Sequence, residues 1–258
     1  MEQSDFIKRI TDLRERAEKT ASVTHSSFLT PAEQMYVEQI AQQNNGDVSV
    51  ILFGGADFCE RKMAFFLPYY ITSEDFLETE KEDAECNEYL TAIRIKSYFG
   101  QPEHRDYLGA VLALGIERDR IGDVVVLDDT AYVFCVRSVA GLILNELEKV
   151  GRCGIKTFEV GLAQVPAPVR QIKTMTFTVK SLRLDAVAGE IFGISRTQTA
   201  ELIRLGLVSL NYNVCVKTDA QINEGDVISI RGKGKGCVKE VGGKSRKDRL
   251  FIIAEKYI

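Results

Sequence analysis

Apolar residues follow first a helical and then a strand spacing in the opening part of the chain. Residues 6–17 carry apolar side chains on one face of a helix. Thr30-Pro31-Ala32-Glu33 is a capping box with proline at the first helical position, which predicts a second helix start. Largely apolar runs at 48–53 and 63–67 are typical of buried strands. We therefore expect a small N-terminal α/β region over residues 1–75.

The middle of the chain has a different order of elements. The predicted elements are, in order, strand 92–98, helix 103–114, strand 123–127, strand 131–136, helix 139–150 and strand 155–160. The two middle strands are joined by a turn short enough for a hairpin, and each crossover carries a helix. This β-α-β-β-α-β order predicts a ferredoxin-like central domain over residues 89–162, the layout shared by RNA-recognition-motif (RRM) proteins.

An acidic stretch lies between these two regions. Residues 74–88 hold eight Asp or Glu and one Lys, with little apolar periodicity. We interpret the stretch as a solvated linker or an exposed helix. The alternative is that the negative charge of this stretch keeps neighbouring RNA-binding surfaces apart by electrostatic repulsion.

A third unit follows a proline-containing linker at 163–170. Its pattern begins with a helix that Gly193 ends, followed by a second capping box formed by Ser195 and Gln198. Three short strand patterns come next, at 207–210, 214–216 and 227–230. We expect this unit to span residues 174–245 and to be followed by a C-terminal tail, 246–258. The fold class is therefore α+β with three domains.

The net charge of −4 conceals an asymmetry. Residues 180–258 contain 14 Lys or Arg and 9 Asp or Glu, whereas the preceding residues contain 19 and 28. A basic run from Arg231 to Arg249 adds eight cations to the third unit. The C-terminal part is therefore the candidate for binding a polyanion, with a solvated basic tail as the plainer interpretation.

Other classes of site find no support in the composition. The six cysteines include no CxxC pair and there are only two histidines, so no zinc spacing can be assembled. The charged N-terminus lacks the apolar segment of a signal peptide, and no apolar run is long enough to span a membrane. We expect a cytoplasmic protein with reduced cysteines, no metal and no cofactor.

Short motifs recur in order through the third unit. They are R-L-D at 183–185, S-R at 195–196, I-x-x-G-x-V at 203–208, Asn211 and G-D-x-I-x-I-R at 225–231. This pattern resembles the S4 RNA-binding domain. The resemblance implies an RNA-facing surface made of Arg183, Asp185, Ser195, Arg196, Thr197, Arg204, Asn211, Lys217, Arg231, Lys233 and Lys235. Asp185 is expected to orient an arginine there, and guanidinium groups and helix N-termini suit phosphate contacts.

Tyr212 departs from the S4 pattern, which more often has glycine after Asn211. The turn at this point is therefore expected to be wider. The tyrosine is interpreted either as a hydrophobic plug or as an exposed ring that stacks on a base.

Two pairs of residues mark a possible second RNA surface in the central domain. Tyr132 and Phe134 lie two apart on one predicted strand, so both should point to the same face. They could stack on bases, although ordinary sheet packing is the simpler interpretation. His104 and Arg105 either contact RNA or belong to a structural cluster with nearby carboxylates.

Motifs spread over the whole chain resemble the YlmH family of bacterial proteins. They are Gly54-Gly55, Glu60-Arg61-Lys62, His104 to Gly109, Gly115 to Arg118 and Ile121 to Asp123. The resemblance implies a non-catalytic, monomeric RNA-binding factor. It is expected to bind the large ribosomal subunit that carries peptidyl-tRNA and to act in the rescue of stalled nascent chains. Its expected partners are large-subunit ribosomal RNA, tRNA or both, and the family also has a link to cell division.

An RNA-modifying enzyme, or an accessory to one, is the main alternative, because S4 domains are often appended to such enzymes. His104-Arg105-Asp106 resembles a kinase catalytic loop, but Val111 stands where that motif requires asparagine. Gly243-Lys244-Ser245 would need glycine at Val238 to form a phosphate loop. A pseudouridine synthase would need its own catalytic aspartate upstream. We therefore expect no enzyme, and a protein adaptor linked to cell division is the second alternative.

Overall fold

The computed structural model of the protein contains both α-helices and β-sheets. The structure describes residues 3–43, 48–81, 87–168, 171–244 and 248–257. The chain divides into two compact units, Met1–Pro168 and Val169–Ile258. Both the predicted N-terminal region and the predicted central domain lie in the first unit. Within the described ranges, no helix is long and apolar enough to cross a membrane.

The N-terminal part of the first unit combines helices with a small antiparallel sheet. Its elements are α1 (Gln3–Thr20), β1 (Thr24–His25), α2 (Pro31–Gln43), β2 (Ser49–Phe53), β3 (Met63–Leu67) and α3 (Ser73–Lys81). The strand order is β1-β3-β2. The capping box that starts α2 is confirmed, because the Thr30 amide donates to Glu33 and the Glu33 amide donates to Thr30 Oγ1. Phe6 and Ile10 of α1 pack against Phe66 in the core.

Helix α3 occupies the first half of the acidic stretch. Phe76 and Glu80, one turn apart, are both buried, and Phe76 joins the core around Phe65. This half is therefore a helix, as one of the two interpretations expected, but it is not exposed on every side, because Phe76 and Glu80 pack inward. The second half of the stretch at 82–86 lies outside the described residues.

The central part of the first unit follows the expected element order. Its elements are β4 (Leu90–Ser97), α4 (His104–Leu112), β5 (Ile121–Leu127), β6 (Thr130–Val136), α5 (Arg137–Glu146), β7 (Lys149–Val150) and β8 (Cys153–Val160). The antiparallel strand order is β5-β6-β4-β8-β7. The predicted second helix ends early, because residues 149–150 pair with β8 in a hairpin instead.

The two faces of the central sheet are covered by different parts of the unit. On one face, Ile93 and Ile95 of β4 form a core with Tyr107 of α4 and Ile143 of α5. On the other face, Leu90 and Ala92 of the same strand join Phe134 and residues of the N-terminal sheet. This alternation along β4 follows from the two-residue period of a strand.

The second unit is a six-stranded sheet with two helices. Its elements are β9 (Ile172–Val179), α6 (Leu184–Phe192), α7 (Arg196–Arg204), β10 (Val208–Leu210), β11 (Asn213–Val214), β12 (Val227–Ile230), β13 (Gly234–Lys244) and β14 (Leu250–Tyr257). The antiparallel strand order is β11-β10-β12-β13-β14-β9. Val187 and Ile191 of α6 pack with Ile203 of α7 and with Ile228 and Ile252 of the sheet.

The predicted C-terminal tail at 246–258 is wrong. Strand β14 pairs with β13 on one side and β9 on the other, and its Ile252 and Ala254 are buried. Strands β9 and β13 were not among the predicted strands either. Charged and glycine residues dominate β13, and they concealed a strand that is held by pairing on both sides.

Candidate nucleic-acid interface

One acid and two arginines at the starts of α6 and α7 form the Arg–Asp–Arg cluster, defined as Arg183, Asp185 and Arg196. The Asp185 carboxylate accepts hydrogen bonds from Arg183 Nε at 3.2 Å and Arg183 Nη2 at 3.1 Å. Its Oδ2 also lies 3.1 Å from Arg196 Nε. The Asp185 side chain is 6% exposed, whereas those of Arg183 and Arg196 are 37% and 56% exposed. One enclosed acid therefore orients two guanidinium groups at the surface.

The ionisation of Asp185 is stabilised by this arrangement. Burial alone would raise the pKa of the carboxyl group, but the hydrogen bonds and charges of Arg183 and Arg196 outweigh it. The pKa of Asp185 is therefore lowered from its usual range. The carboxylate stays charged at neutral pH and keeps both arginines in place.

The N-terminus of α7 lies beside this cluster in the sequence. Ser195 caps the helix, since its Oγ accepts a hydrogen bond from the Gln198 amide at 3.2 Å, and the predicted capping box is confirmed. Ser195, Arg196 and Thr197 are all exposed. The first turn of a helix has amide groups without partners inside the helix, so this end suits an anion.

Lys217 and Arg204 occupy different places relative to the cluster. Lys217 is exposed, and the next residue, Thr218, accepts a hydrogen bond from the Asp185 amide at 3.0 Å. Lys217 therefore lies near the start of α6. Arg204 is exposed at the opposite end of α7 from Arg196, which separates the two by about 12 Å along the axis. Arg204 is therefore not part of the Arg–Asp–Arg cluster.

Three further predicted cations surround the turn that joins β12 to β13. Arg231 and Lys233 are exposed, and Lys235, the second residue of β13, is partly buried. The Lys235 ammonium lies 5.8 Å from the ring centre of Tyr212 and 5.2 Å from that of Tyr257. Lys235 therefore lies beside the hairpin that carries Tyr212.

The β10–β11 hairpin is tighter than predicted. Leu210 pairs with Asn213, so only Asn211 and Tyr212 form the turn, and both have positive φ, +48° and +65°. Such a turn normally carries glycine. The Asn211 side chain donates to Asp226 at 2.8 Å and accepts from the Val227 amide at 2.9 Å. The contacts of Asn211 therefore give it a structural role in this hairpin.

Phe134 cannot form part of a second RNA surface, contrary to the prediction. Its ring is fully buried, and a Cβ added to Gly55 would come within 2.4 Å of it. Tyr132, two residues earlier on the same face, is only partly buried. The N-terminal region therefore covers one end of this sheet face and leaves the other end accessible.

His104 and Arg105 are both exposed, and each has charged neighbours. Arg105 is exposed, with its Nε 3.3 Å from Glu103 and 3.9 Å from Asp106. Desolvation lowers the pKa of His104, the charge of Arg118 lowers it further, and Asp123 acts in the opposite direction. Asp123 in turn accepts hydrogen bonds from the backbone amides of residues 60 and 61.

Several motifs of the first unit meet where its N-terminal and central parts join. A Cβ added to Gly122 would come within 2.6 Å of the Phe28 ring, so glycine is needed for this close approach. The Phe28 amide donates to the Asp119 carbonyl at 2.8 Å. Arg61 donates to the Phe28 carbonyl at 2.9 Å. Packing within the unit therefore accounts for the presence of these motifs.

The accessible end of the central sheet face was missed by sequence reasoning, except for Tyr132. We call it the open half of the sheet face, defined as Arg94, Lys96, Tyr132, Lys156 and Phe158. Lys96 and Lys156 are exposed, and the other three are partly buried. The signal was present in the sequence, because charged or aromatic residues alternate with apolar ones in β4 and with Ile155 and Thr157 in β8.

Comparison with known proteins identifies the class and then the family. A family model described as "Putative RNA-binding domain in YlmH" matches residues 81–164. A second, described as "YlmH, N-terminal", matches residues 2–63. Together they cover more than half of the chain and describe a protein with an RNA-binding domain. The chain belongs to the YlmH family, which confirms the resemblance seen in its motifs.

Two individual proteins are similar to this chain. "Ribosome-associated protein quality control protein P2" of Bacillus subtilis (strain 168) is 28% identical over 251 residues, 97% of this chain and 94% of that protein. The solved structure "Cell division protein ylmH from Streptococcus pneumoniae" is 18% identical, with a TM-score of 0.47. The match covers 62% of this chain and 92% of that structure.

Proposed function

We propose that this protein is a non-catalytic RNA-binding factor that associates with the large ribosomal subunit and peptidyl-tRNA and acts in the rescue of stalled nascent chains. The ribosomal part of the proposal is supported by the name of the Bacillus subtilis relative, which aligns with nearly the whole chain. The observation that carries RNA binding is the Arg–Asp–Arg cluster, in which one enclosed carboxylate orients two exposed guanidinium groups.

We assign the second unit to the S4 type because of its motifs and because two short helices are followed by short strands. Two short helices meet at Gly193 and Ser195, and strands follow them. Arginine makes paired hydrogen bonds to phosphate, so the cluster is suited to reading the RNA backbone and its shape. Lys217 and the α7 N-terminus add a cation and amide donors beside it. Sequence-specific reading of bases is not part of this proposal.

We assign the central part of the first unit to the RRM-like class. Strand β4 lies between β6 and β8, as the first strand does between the two later ones in a split βαβ fold. The domain limits 1–75, 89–162 and the start of the last domain near 174 remain proposals.

An enzyme is the weaker alternative. The relatives are named as an RNA-binding, quality-control or cell-division protein and not as enzymes. The kinase-like tripeptide at 104–106 lacks the asparagine that the motif requires, because Val111 stands at that position. Metal chemistry has no candidate cluster of ligands among the described residues.

The proposal is tested by sedimentation of the purified full-length protein with large ribosomal subunits that carry peptidyl-tRNA. The R183A/R196A double variant removes both guanidinium groups of the cluster. The K173A/K239A variant removes the same charge from two exposed lysines on β9 and β13 and serves as the control. Circular dichroism checks that each variant is folded.

We expect R183A/R196A to lose most of its association and the control to keep it. Charge-assisted hydrogen bonds contribute about 1.5–3 kcal/mol each, so two lost contacts should weaken binding at least about 100-fold. Equal sedimentation of the wild type and R183A/R196A would contradict the assignment of this surface.

A further inference from the structure

The open half of the sheet face is held together by the strand register. On β4, Arg94 lies opposite Tyr132 of β6 and Phe158 of β8. Lys96, two residues further along β4, lies opposite Lys156 of β8. Residues directly opposite each other in antiparallel strands point to the same face. Three cations and two aromatic rings therefore share one surface.

Two of the three cations on this surface lie over the same aromatic ring. The Arg94 guanidinium carbon is 4.8 Å from the centre of the Phe158 ring, and the Lys156 ammonium is 5.0 Å from it. Within the described ranges, no ion pair joins Arg94, Lys96 or Lys156 to a carboxylate. The Arg94 Nε is shielded from solvent and has no hydrogen-bond partner among those residues. The positive charge is therefore uncompensated.

The same face shows why this surface stays accessible. Ala92 and Phe134 form the next pair on this face, two residues from the pair of Arg94 and Tyr132. They are covered by Phe53 and Phe65 of the N-terminal sheet. That cover stops before Lys96 and Lys156, which are exposed. The N-terminal region thus leaves accessible the part of the face that carries Arg94 and Lys96 on β4, Tyr132 on β6, and Lys156 and Phe158 on β8.

We propose that the open half of the sheet face binds single-stranded RNA. Arg94, Lys96 and Lys156 contact phosphates, while a base stacks on Phe158 or on the Arg94 guanidinium plane. Both kinds of stacking are common in single-strand recognition. Unpaired cations interleaved with aromatic rings favour a nucleic acid over a protein partner, and an acidic protein is the alternative outcome. The inference rests on the proposed RNA-binding function and gives it a second, independent surface.

The test measures binding of the full-length protein to a fluorescein-labelled oligouridylate of about 12 nucleotides across a salt series. The face variant is R94A/K156A. The charge control is K8A/R16A, which removes two cations that are exposed on α1. The cluster variant R183A/R196A is measured in parallel, so that the two surfaces are tested separately.

We expect the face variant to bind about tenfold more weakly. The slope of log affinity against log salt should fall by about 1.4, since each phosphate contact on a single strand contributes about 0.7. The charge control should bind as the wild type does. If the face variant matches the wild type or the charge control, the proposal is overturned and the surface is left to a protein partner.

The two proposals fail in different ways. Unchanged binding by the cluster variant, together with weaker binding by the face variant, contradicts the function assigned to the second unit and supports this inference. The reverse result contradicts this inference alone.

Phe158 provides a test that does not depend on charge. F158L keeps an apolar side chain in the sheet but removes the ring, whereas F158Y keeps the ring. We expect F158L to bind oligouridylate roughly fivefold or more weakly, because stacking on an aromatic ring strengthens binding of each base. F158Y should bind as the wild type does. Equal binding by F158L and the wild type would overturn the stacking contact.

Discussion

Phe134 and Phe158 flank the same strand of the central sheet, on the same face, but their surroundings differ. The Phe134 ring is fully buried under the N-terminal region and touches Gly55. The Phe158 ring is partly exposed and has Arg94 and Lys156 near its face. The chain thus uses one aromatic residue as core and leaves the other at the surface.

This difference shows what decides whether a strand aromatic can contact RNA. Alternation along a strand fixes the face to which a side chain points. The neighbouring part of the unit then decides whether that face is covered. In this protein the N-terminal region covers one half of the face, and the chemistry of the other half changes from apolar to cationic.

The largest expected effect separates the two phenylalanines by stability. F134A should lower the free energy of unfolding by about 3–5 kcal/mol, because it removes a fully buried ring. F158A should lower it by about 1 kcal/mol or less, since the ring is partly solvated. The chain has no tryptophan, so circular dichroism during chemical denaturation is the suitable measurement. Similar losses for both variants would break the comparison.

A smaller loss is expected from G122A, which tests the contact that holds the cover in place. The added Cβ would meet the Phe28 ring at 2.6 Å, so either the ring or the strand must shift. Overpacking of this kind costs about 1–3 kcal/mol. Hydrogen exchange of β3 and β6 should increase together in G122A. Wild-type exchange in both strands would contradict a tight joint at Gly122.

The contrast between enclosed and open groups extends to the Arg–Asp–Arg cluster. D185N should lower the free energy of unfolding by about 1–2 kcal/mol at pH 7, since its arginine partners are partly solvated and lose less than a fully buried pair. E201Q, at an exposed glutamate on α7, makes the same carboxylate-to-amide change, is the control and should have no effect.

The effect of D185N also has a defined pH dependence. The folded-state pKa of Asp185 is lowered, so its stabilising contribution is present above the unfolded pKa of about 3.9. It is lost as the pH falls through the folded pKa. Denaturation of the wild type and D185N should therefore differ most near neutral pH and converge below about pH 4. A constant difference in strong acid would contradict the ion pairing.

The smallest effect concerns the strained turn at Tyr212. Its φ of +65° is costly for a residue with a Cβ, by about 1 kcal/mol. Y212G and Y212A both lose the ring, but only Y212A keeps the Cβ. We expect Y212G to be more stable than Y212A by about 1 kcal/mol in thermal unfolding. Equal stability would mean that the turn relaxes and stores no strain.

Local signals predicted much of the fold. The capping boxes at Thr30 and Ser195 begin helices where expected, because a hydroxyl and an amide or carboxylate three residues apart suffice to define a helix start. Strand β14 and the burial of Phe134 could not be predicted in the same way. Both depend on partners far away in the sequence, namely β9 for the strand and the N-terminal sheet for the ring.

The candidate site was predictable in its motifs but not in its geometry. The R-L-D motif indicated that Asp185 orients an arginine, and the structure gives it two. The motif gave no sign that the side-chain amide of Asn211 holds the hairpin to Asp226 and Val227. The open half of the sheet face leaves a signal in the alternation along β4 and β8, but the register that brings Arg94, Tyr132 and Phe158 together is not encoded in a short motif.

Crosslinking tests the central claim most directly. The full-length protein is irradiated with cellular RNA and with ribosomal large subunits, and the crosslinked peptides are mapped. The account predicts crosslinks in the peptides around Arg183, Arg196 and Lys217, with a second group around Tyr132 and Phe158. Crosslinks confined to other surfaces, with none in the second unit, would contradict the assignment of this protein as an RNA-binding factor that acts through the Arg–Asp–Arg cluster.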